Sequence, residues 1–371
     1  MLIYLGVSAL VAFGYALSLW LIGEASVLAN THLVLVMGIL PLIFGAIAHF
    51  IPVLTRSGAA PRAVRLAPLA LQLAGILAFL YFSGAAGRGA LDAAAAIALV
   101  VSIRFAGWLI GRAKRTLGQP HSGWRWYLAA LLMLAVGLVL VPAMALWPES
   151  RQVLRLLHLH LNTPGFIGLT AIGTLQVLLP TVLSGPDAAA AARLRRDLLP
   201  GVAAVLAIAA GAAFWRPLSL LGAILLACVC GRVMLSWWRR YGLRTLFGDG
   251  ASASLATAQC GFLLLLFFGA AHGLGAMSGH DAVPAFIVAF LLPLVTGALS
   301  QLLPVWCDPG RRTAVRDRMR AVLVRGGALR AVLFMVGGVL LACGLGAGLW
   351  LAAAALLLFA YSLLRVFCLI Y

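Results

Sequence analysis

Long apolar runs decide what this chain can fold into. Of its 371 residues, 64% are hydrophobic and only 10% are charged, whereas a soluble domain carries about 25% charged residues. Because lipid offers no hydrogen-bond partner to an exposed backbone, apolar runs of roughly 20 residues predict transmembrane helices. The predicted spans cover residues 2–22, 29–54, 66–84, 90–111, 126–147, 153–182, 199–215, 217–238, 252–274, 282–306, 328–346 and 348–370. The predicted fold class is therefore all-α integral membrane, with about twelve transmembrane helices in a single membrane domain, residues 1–371.

The basic residues are distributed unevenly along the chain. The formal net charge is +18, and twenty of the 27 lysines and arginines fall in or beside alternate connections between the predicted spans. This positive-inside bias predicts a multi-pass protein of a bacterial-type inner (plasma) membrane, with both termini in the cytoplasm. The same distribution argues against nucleic-acid binding as the explanation of the net positive charge. It favours the lipid bilayer as partner, with anionic lipid at the basic cytoplasmic face.

Three predicted spans share one pattern, in which a proline follows a glycine by seven residues. These glycines are Gly45, Gly173 and Gly297. They lie 128 and 124 residues apart, or four spans each, and arginines recur at a similar interval in spans 4, 8 and 12, at residues 104, 232 and 365. The pattern predicts internal repeats at approximately 1–120, 121–248 and 249–371. These would form three pseudo-symmetric four-helix units around a central axis, with spans 2, 6 and 10 innermost.

Five of the seven histidines are predicted near the outer side of the membrane. They are His32, His158, His160, His272 and His280. His32 and His160 each precede the repeated glycine by 13 residues, so they would face a common central space, and His280 could reach its rim. Imidazole is a common ligand of copper, zinc and haem iron. We therefore predict His32, His160 and His280 as metal ligands, and His32, His158, His160 and His272 as cofactor ligands.

The pair His158 and His160 adds a geometric argument. Residues two apart on a helix point about 200° away from each other, so one helix could supply ligands to two different centres. The alternative interpretation is that the histidines are interfacial residues in contact with lipid headgroups. Both interpretations are compatible with the sequence.

Two segments resemble a known superfamily. Residues 31–61, which contain His32, Pro41, Gly45 and Pro52 before a Gly-Ala-Ala-Pro turn, resemble the second helix of haem–copper oxidase subunit I. The run His-Leu-His-Leu-Asn-x3-Phe-x-Gly-Leu-Thr-Ala-x-Gly-Thr at residues 158–174 is similar to small subunit-I-like proteins and to the NnrS family, which binds haem and copper and is linked to nitric oxide stress. The resemblance implies a degenerate member of this superfamily. In such a member, His32 is an axial haem ligand, and His158 and His160 are haem or copper ligands.

The chain also departs from the superfamily. Oxygen reductases carry His-x-His in the tenth helix, whereas residues 282–306 contain no histidine, and the histidine pair of helix 7, the crosslinked tyrosine and the proton channels are missing. A proton-pumping oxygen reductase is therefore not expected. We expect a haem- or copper-binding redox protein of nitric oxide defence or respiration, with an unknown electron-transfer partner. The alternatives are a metal or haem carrier, an oxidase assembly factor, or a solute transporter; the scarcity of carboxylates inside the predicted spans counts against the transporter.

Overall fold

The protein consists of long helices joined by short connections. The computed structural model describes residues 1–23, 26–183, 185, 187–277 and 282–370, and within these ranges it contains no β-strand. Twelve helices in the described part of the chain are long and apolar enough to cross a membrane. Numbered α1 to α12, they are Leu2–Ile22, Val27–Leu54, Arg62–Phe82, Arg88–Lys114, Gly123–Leu146, Pro148–Leu183, Ala190–Phe214, Arg216–Gly248, Gly250–Gly273, Ala282–Cys307, Ala314–Ala342 and Ala347–Cys368. The predicted class, an all-α multi-pass membrane protein, is confirmed.

The boundaries differ from the predicted spans where a helix continues beyond its apolar stretch. α7 begins at Ala190 rather than at residue 199, so it includes the buried carboxylate of Asp197, which is bound by Arg196 at 2.8 and 3.0 Å. α11 consists of two helical parts, Ala314–Val324 and Gly327–Ala342, which meet at a turn where Gly326 has a φ of 69°.

Within the described ranges, three helices contain a π-helical segment. In α2, α6 and α10 these segments are Leu33–Ile39, Leu161–Gly168 and Ile287–Leu291. Prolines explain their position, because a proline has no N–H to donate and its ring displaces the carbonyl four residues earlier. Pro41 and Pro293 each lie two residues beyond the end of a π segment, and Pro164 lies inside one. π segments of this kind are frequent at functional sites.

Close packing surrounds the π segments. A methyl group at Gly75 of α3 would collide with the Met37 backbone, and one at Gly338 of α11 would collide with Ala289. A methyl group at Gly165 of α6 would lie 3.2 Å from Met133. Met37, Gly165 and Ala289 all stand eight residues before a glycine of the repeated pattern. The glycines Gly75, Gly165 and Gly338 let the neighbouring helices approach closely here, as is usual within membranes.

The chain divides into two compact units. The first comprises Met1–Thr174 and Ala188–Leu226, and the second comprises Leu175–Asp187 and Ala227–Tyr371. In the first unit, the fully buried Trp126 donates a hydrogen bond from Nε1 to the Leu194 carbonyl at 2.9 Å. In the second unit, the buried core is built around Trp237.

Candidate functional site

His32 lies at the point where the first turns of α2 give way to the π segment. Its Nδ1 is 2.7 Å from the carbonyl oxygen of Leu28, one helical turn earlier. A carbonyl can only accept, so Nδ1 carries the proton and Nε2 keeps its lone pair. The Phe82 ring stacks on the imidazole, with 4.1 Å between ring centroids and 26° between planes. The ring orientation and the tautomer of His32 are therefore both fixed.

His158 is held by a neighbouring helix rather than by its own. Its Nδ1 donates to the Gly137 carbonyl of α5 at 2.8 Å, which leaves the Nε2 lone pair in place here as well. The Asn162 side-chain amide donates to the His158 carbonyl at 2.7 Å. A Cβ at residue 137 would lie 2.5 Å from Asn162 Nδ2, so only glycine leaves room for this arrangement.

His160 repeats the local geometry of His32. Its Nδ1 donates to the Leu156 carbonyl at 2.8 Å, again one turn earlier, and a π segment again begins at the next residue. The two histidines, each 13 residues before a repeated glycine, thus share the same hydrogen bond and the same position relative to a π segment. His158 and His160 are both partly buried.

The fold brings two of the predicted ligands together. His32 of α2 and His158 of α6, separated by 126 residues in sequence, lie within the range over which a charge on one ring would act on the other. Both belong to the first compact unit. The pair therefore consists of two imidazoles from different helices. In each, Nδ1 donates its proton to a carbonyl, and Nε2 carries the lone pair that can bind a metal.

The remaining histidines lie elsewhere. His272 is exposed at the end of α9, in the second unit, where its Nδ1 bonds the Met277 carbonyl at 3.0 Å. His280 lies outside the described residues, so its predicted role stays a prediction, as does that of His272. His49 packs edge-on against Phe50, with centroids 5.4 Å apart.

His121 stands in the connection between α4 and α5, outside the membrane spans. The Gly123 N–H donates to its Nδ1 at 3.3 Å, so this nitrogen must carry a lone pair. Burial, together with the positive charge of Arg195, lowers the pKa of His121 below its ordinary value of 6.5. This histidine is therefore held neutral, with the opposite tautomer to that of His32.

The donor set can be compared with the needs of haem and of a bare metal ion. Among the described residues, no group of three or more His, Cys, Asp or Glu side chains is arranged to hold a metal ion. Zinc and copper sites usually take three or four protein donors. Haem iron takes four nitrogens from the porphyrin and one or two axial ligands from the protein. Two imidazoles, as in the pair of His32 and His158, are the number and kind of ligand that haem iron takes from a protein.

Several residues of this arrangement were not predicted from the sequence. Phe82 and the Gly137 carbonyl belong to other helices, and no motif points to them. Asn162 stands within the His-Leu-His-Leu-Asn run, but nothing in that run indicates its bond to the His158 carbonyl.

Comparison with known proteins adds no relative: no protein-family model, no curated protein and no solved structure matches this chain. The fold and the histidines define its class, a polytopic helical membrane protein with paired imidazole donors in its first compact unit.

Proposed function

We propose that the chain is a haem- or copper-binding protein of the inner membrane, with haem favoured, and that His32 and His158 are its ligands. The observation that carries the proposal is the matching Nδ1–carbonyl hydrogen bond on two histidines of the first compact unit. Metal-ligating histidines almost always donate their other ring N–H to a carbonyl or carboxylate, which fixes the ring and makes the ligating nitrogen more basic. Both imidazoles already have this arrangement.

The protein residues have distinct roles in this proposal. His32 and His158 bind through Nε2, the Leu28 and Gly137 carbonyls hold the protons on Nδ1, and Phe82 covers one face of the His32 ring. When bound, haem supplies one-electron chemistry and a coordination site for small diatomic molecules, which suits respiratory redox chemistry or nitric oxide defence. These two kinds of chemistry are alternatives within the proposal, and so is an enzymatic activity.

The threefold repeat and the membrane orientation are also part of the proposal. The matching π segments of α2, α6 and α10, and the shared hydrogen bond of His32 and His160, support three related four-helix units. The asymmetry of lysine and arginine supports cytoplasmic termini. With that orientation, the histidine pair lies near the outer face of the membrane, and His160 is the candidate ligand of a second centre.

The test is the reduced-minus-oxidised absorbance spectrum and the metal content of detergent-purified protein, produced with haem and copper supplied. We expect stoichiometric haem in the wild type and its loss in His32→Ala and in His158→Ala. His49→Ala removes a histidine elsewhere in the first unit and should leave the spectrum unchanged. His160→Ala reports whether this histidine serves the same centre.

The other outcomes are distinct. Well-folded wild type with neither haem nor copper would contradict the proposal. Haem retained in both His32→Ala and His158→Ala would contradict the assignment of the ligands. Substoichiometric haem that exchanges readily would favour the carrier or assembly-factor alternative over a resident redox cofactor.

A further inference from the structure

A groove runs between the first part of α11 and the C-terminal half of α12, within the second unit. Its volume is about 610 Å³. One wall is the stripe Arg318, Ala321 and Val322, and the other is the stripe Tyr361, Leu364, Arg365 and Cys368. Both stripes have the three- and four-residue spacing of one helix face, so the groove is formed by two packed helices rather than by loops.

Among the described residues, Arg318 and Arg365 in the groove are not paired with a carboxylate, whereas two neighbouring arginines are. Arg312, just before the helical segment that carries Arg318, binds Asp317 at 2.6 Å, and Arg320 on that segment binds Asp249 at 2.8 Å. Arg318 and Arg365 are exposed, and within the described part of the chain neither forms an ion pair with a carboxylate. The groove thus has two positive charges without a counter-charge, beside a wall that is otherwise apolar.

The groove lies where the apolar sequence ends. α12 carries no charged residue from Ala347 until Arg365. α11 changes from an arginine-rich segment, Ala314–Val324, to an uncharged apolar stretch after Arg330. Arginines at such a boundary place their guanidinium groups at the membrane–water interface. Tyr361 and Leu364, 62% and 64% exposed, extend the groove towards the hydrocarbon.

We propose that this groove binds one anionic phospholipid, with its phosphate between Arg318 and Arg365 and an acyl chain along Leu364 and Val322. Guanidinium groups bind phosphate oxygens through paired, charge-assisted hydrogen bonds. Basic pockets between membrane helices are a recognised form of anionic-lipid site. The combination of two uncompensated arginines with an apolar wall matches a headgroup and its chain. A soluble phosphate compound would gain nothing from the apolar wall.

Native mass spectrometry of the full-length protein tests this site, with phosphatidylglycerol and phosphatidylcholine of equal chain length offered at equal concentration. We expect the wild type to retain one phosphatidylglycerol in preference to phosphatidylcholine. Each single variant, Arg318→Gln or Arg365→Gln, should weaken retention about fivefold, and the double variant about 25-fold. A thermal shift of the wild type by phosphatidylglycerol, and not by phosphatidylcholine, gives the same readout without any substitution.

Two variants remove the same charge outside the groove. Arg316→Gln changes the same helical segment, and Arg104→Gln changes the arginine of the predicted repeat in α4. Both should retain phosphatidylglycerol as the wild type does. Equal loss in these variants would show a general surface-charge effect and overturn the proposal. Equal retention of the two lipids by the wild type, or displacement of the lipid by inorganic phosphate, would also overturn it.

Discussion

Replacement of Gly137 by alanine should weaken the hydrogen bonds that position His158. In the wild type, the Gly137 carbonyl accepts from His158 Nδ1 at 2.8 Å, and Asn162 donates to the His158 carbonyl at 2.7 Å. The new Cβ would lie 2.5 Å from Asn162 Nδ2 and 3.1 Å from its Cγ. Asn162 must therefore move, and its hydrogen bond breaks as it does so. If α5 moves away instead, the bond from His158 to the Gly137 carbonyl is lengthened.

The size of the effect follows from these contacts. Loss of the Asn162 bond, or weakening of the His158 bond if α5 moves instead, costs about 1 kcal/mol. Crowding in a packed interior costs about 1–3 kcal/mol. Alanine regains about 1 kcal/mol over glycine in a helix interior. We therefore expect Gly137→Ala to lower the free energy of unfolding by about 2 kcal/mol. If His158 is a haem ligand, we also expect a roughly 10–100-fold loss of haem affinity, as for other residues that orient a ligand.

Unfolding in mixed micelles, followed by tryptophan fluorescence, measures this change. Gly107→Ala in α4 is the matched control, because a Cβ there meets nothing within 4 Å. The decisive variant combines Gly137→Ala with Asn162→Ala, which removes the group that the new methyl would strike. This pair should be less destabilised than the sum of the two single changes, since they act on the same contact. If the two effects add, or if Gly137→Ala behaves like Gly107→Ala, the steric argument is refuted.

The helices could be predicted from the sequence because span length is set by the membrane. The apolar run 2–22 coincides with the helix Leu2–Ile22. At α7 the prediction was nine residues short at its start, because hydropathy detects the lipid-facing part of a helix and not its polar continuation. The residues from Ala190 to Asp197 are helical, but their charged side chains hide the pattern.

The candidate site was predictable only in part. The equivalence of His32 and His160 came from the repeated glycines, and the structure gives both histidines the same hydrogen bond to the carbonyl one turn earlier. Their role as ligands stays a prediction. The contacts with Phe82 and Gly137 depend on how separate helices pack, which spacing within one helix cannot reveal. The π segments could not be predicted either, because they depend on the hydrogen-bond register of the backbone. Pro41 indicates only that the regular helical hydrogen bonds change nearby.

Two further changes test the packing and the electrostatics outside the histidine pair. Arg330 is 1% exposed and donates to the Leu323 and Arg325 carbonyls at 2.6 and 2.8 Å. Arg330→Met should therefore lower the free energy of unfolding by about 3 kcal/mol, because two carbonyls lose a charged donor, and a loss below about 1 kcal/mol would contradict this role. For His121 the pKa is lowered in the folded protein by burial and by the charge of Arg195. A base with a lowered pKa binds fewer protons when folded than when unfolded, so its contribution to stability is present above the ordinary pKa of 6.5 and declines as the pH falls below it. Protonation of Nδ1 would also remove the acceptor of the Gly123 N–H. Between about pH 7.5 and about pH 5.5, the wild type should lose more thermal stability than His121→Gln loses. Because the two proteins differ only at residue 121, the difference between the two pH profiles reports on that residue, and parallel profiles would show that its protonation has no effect on folding.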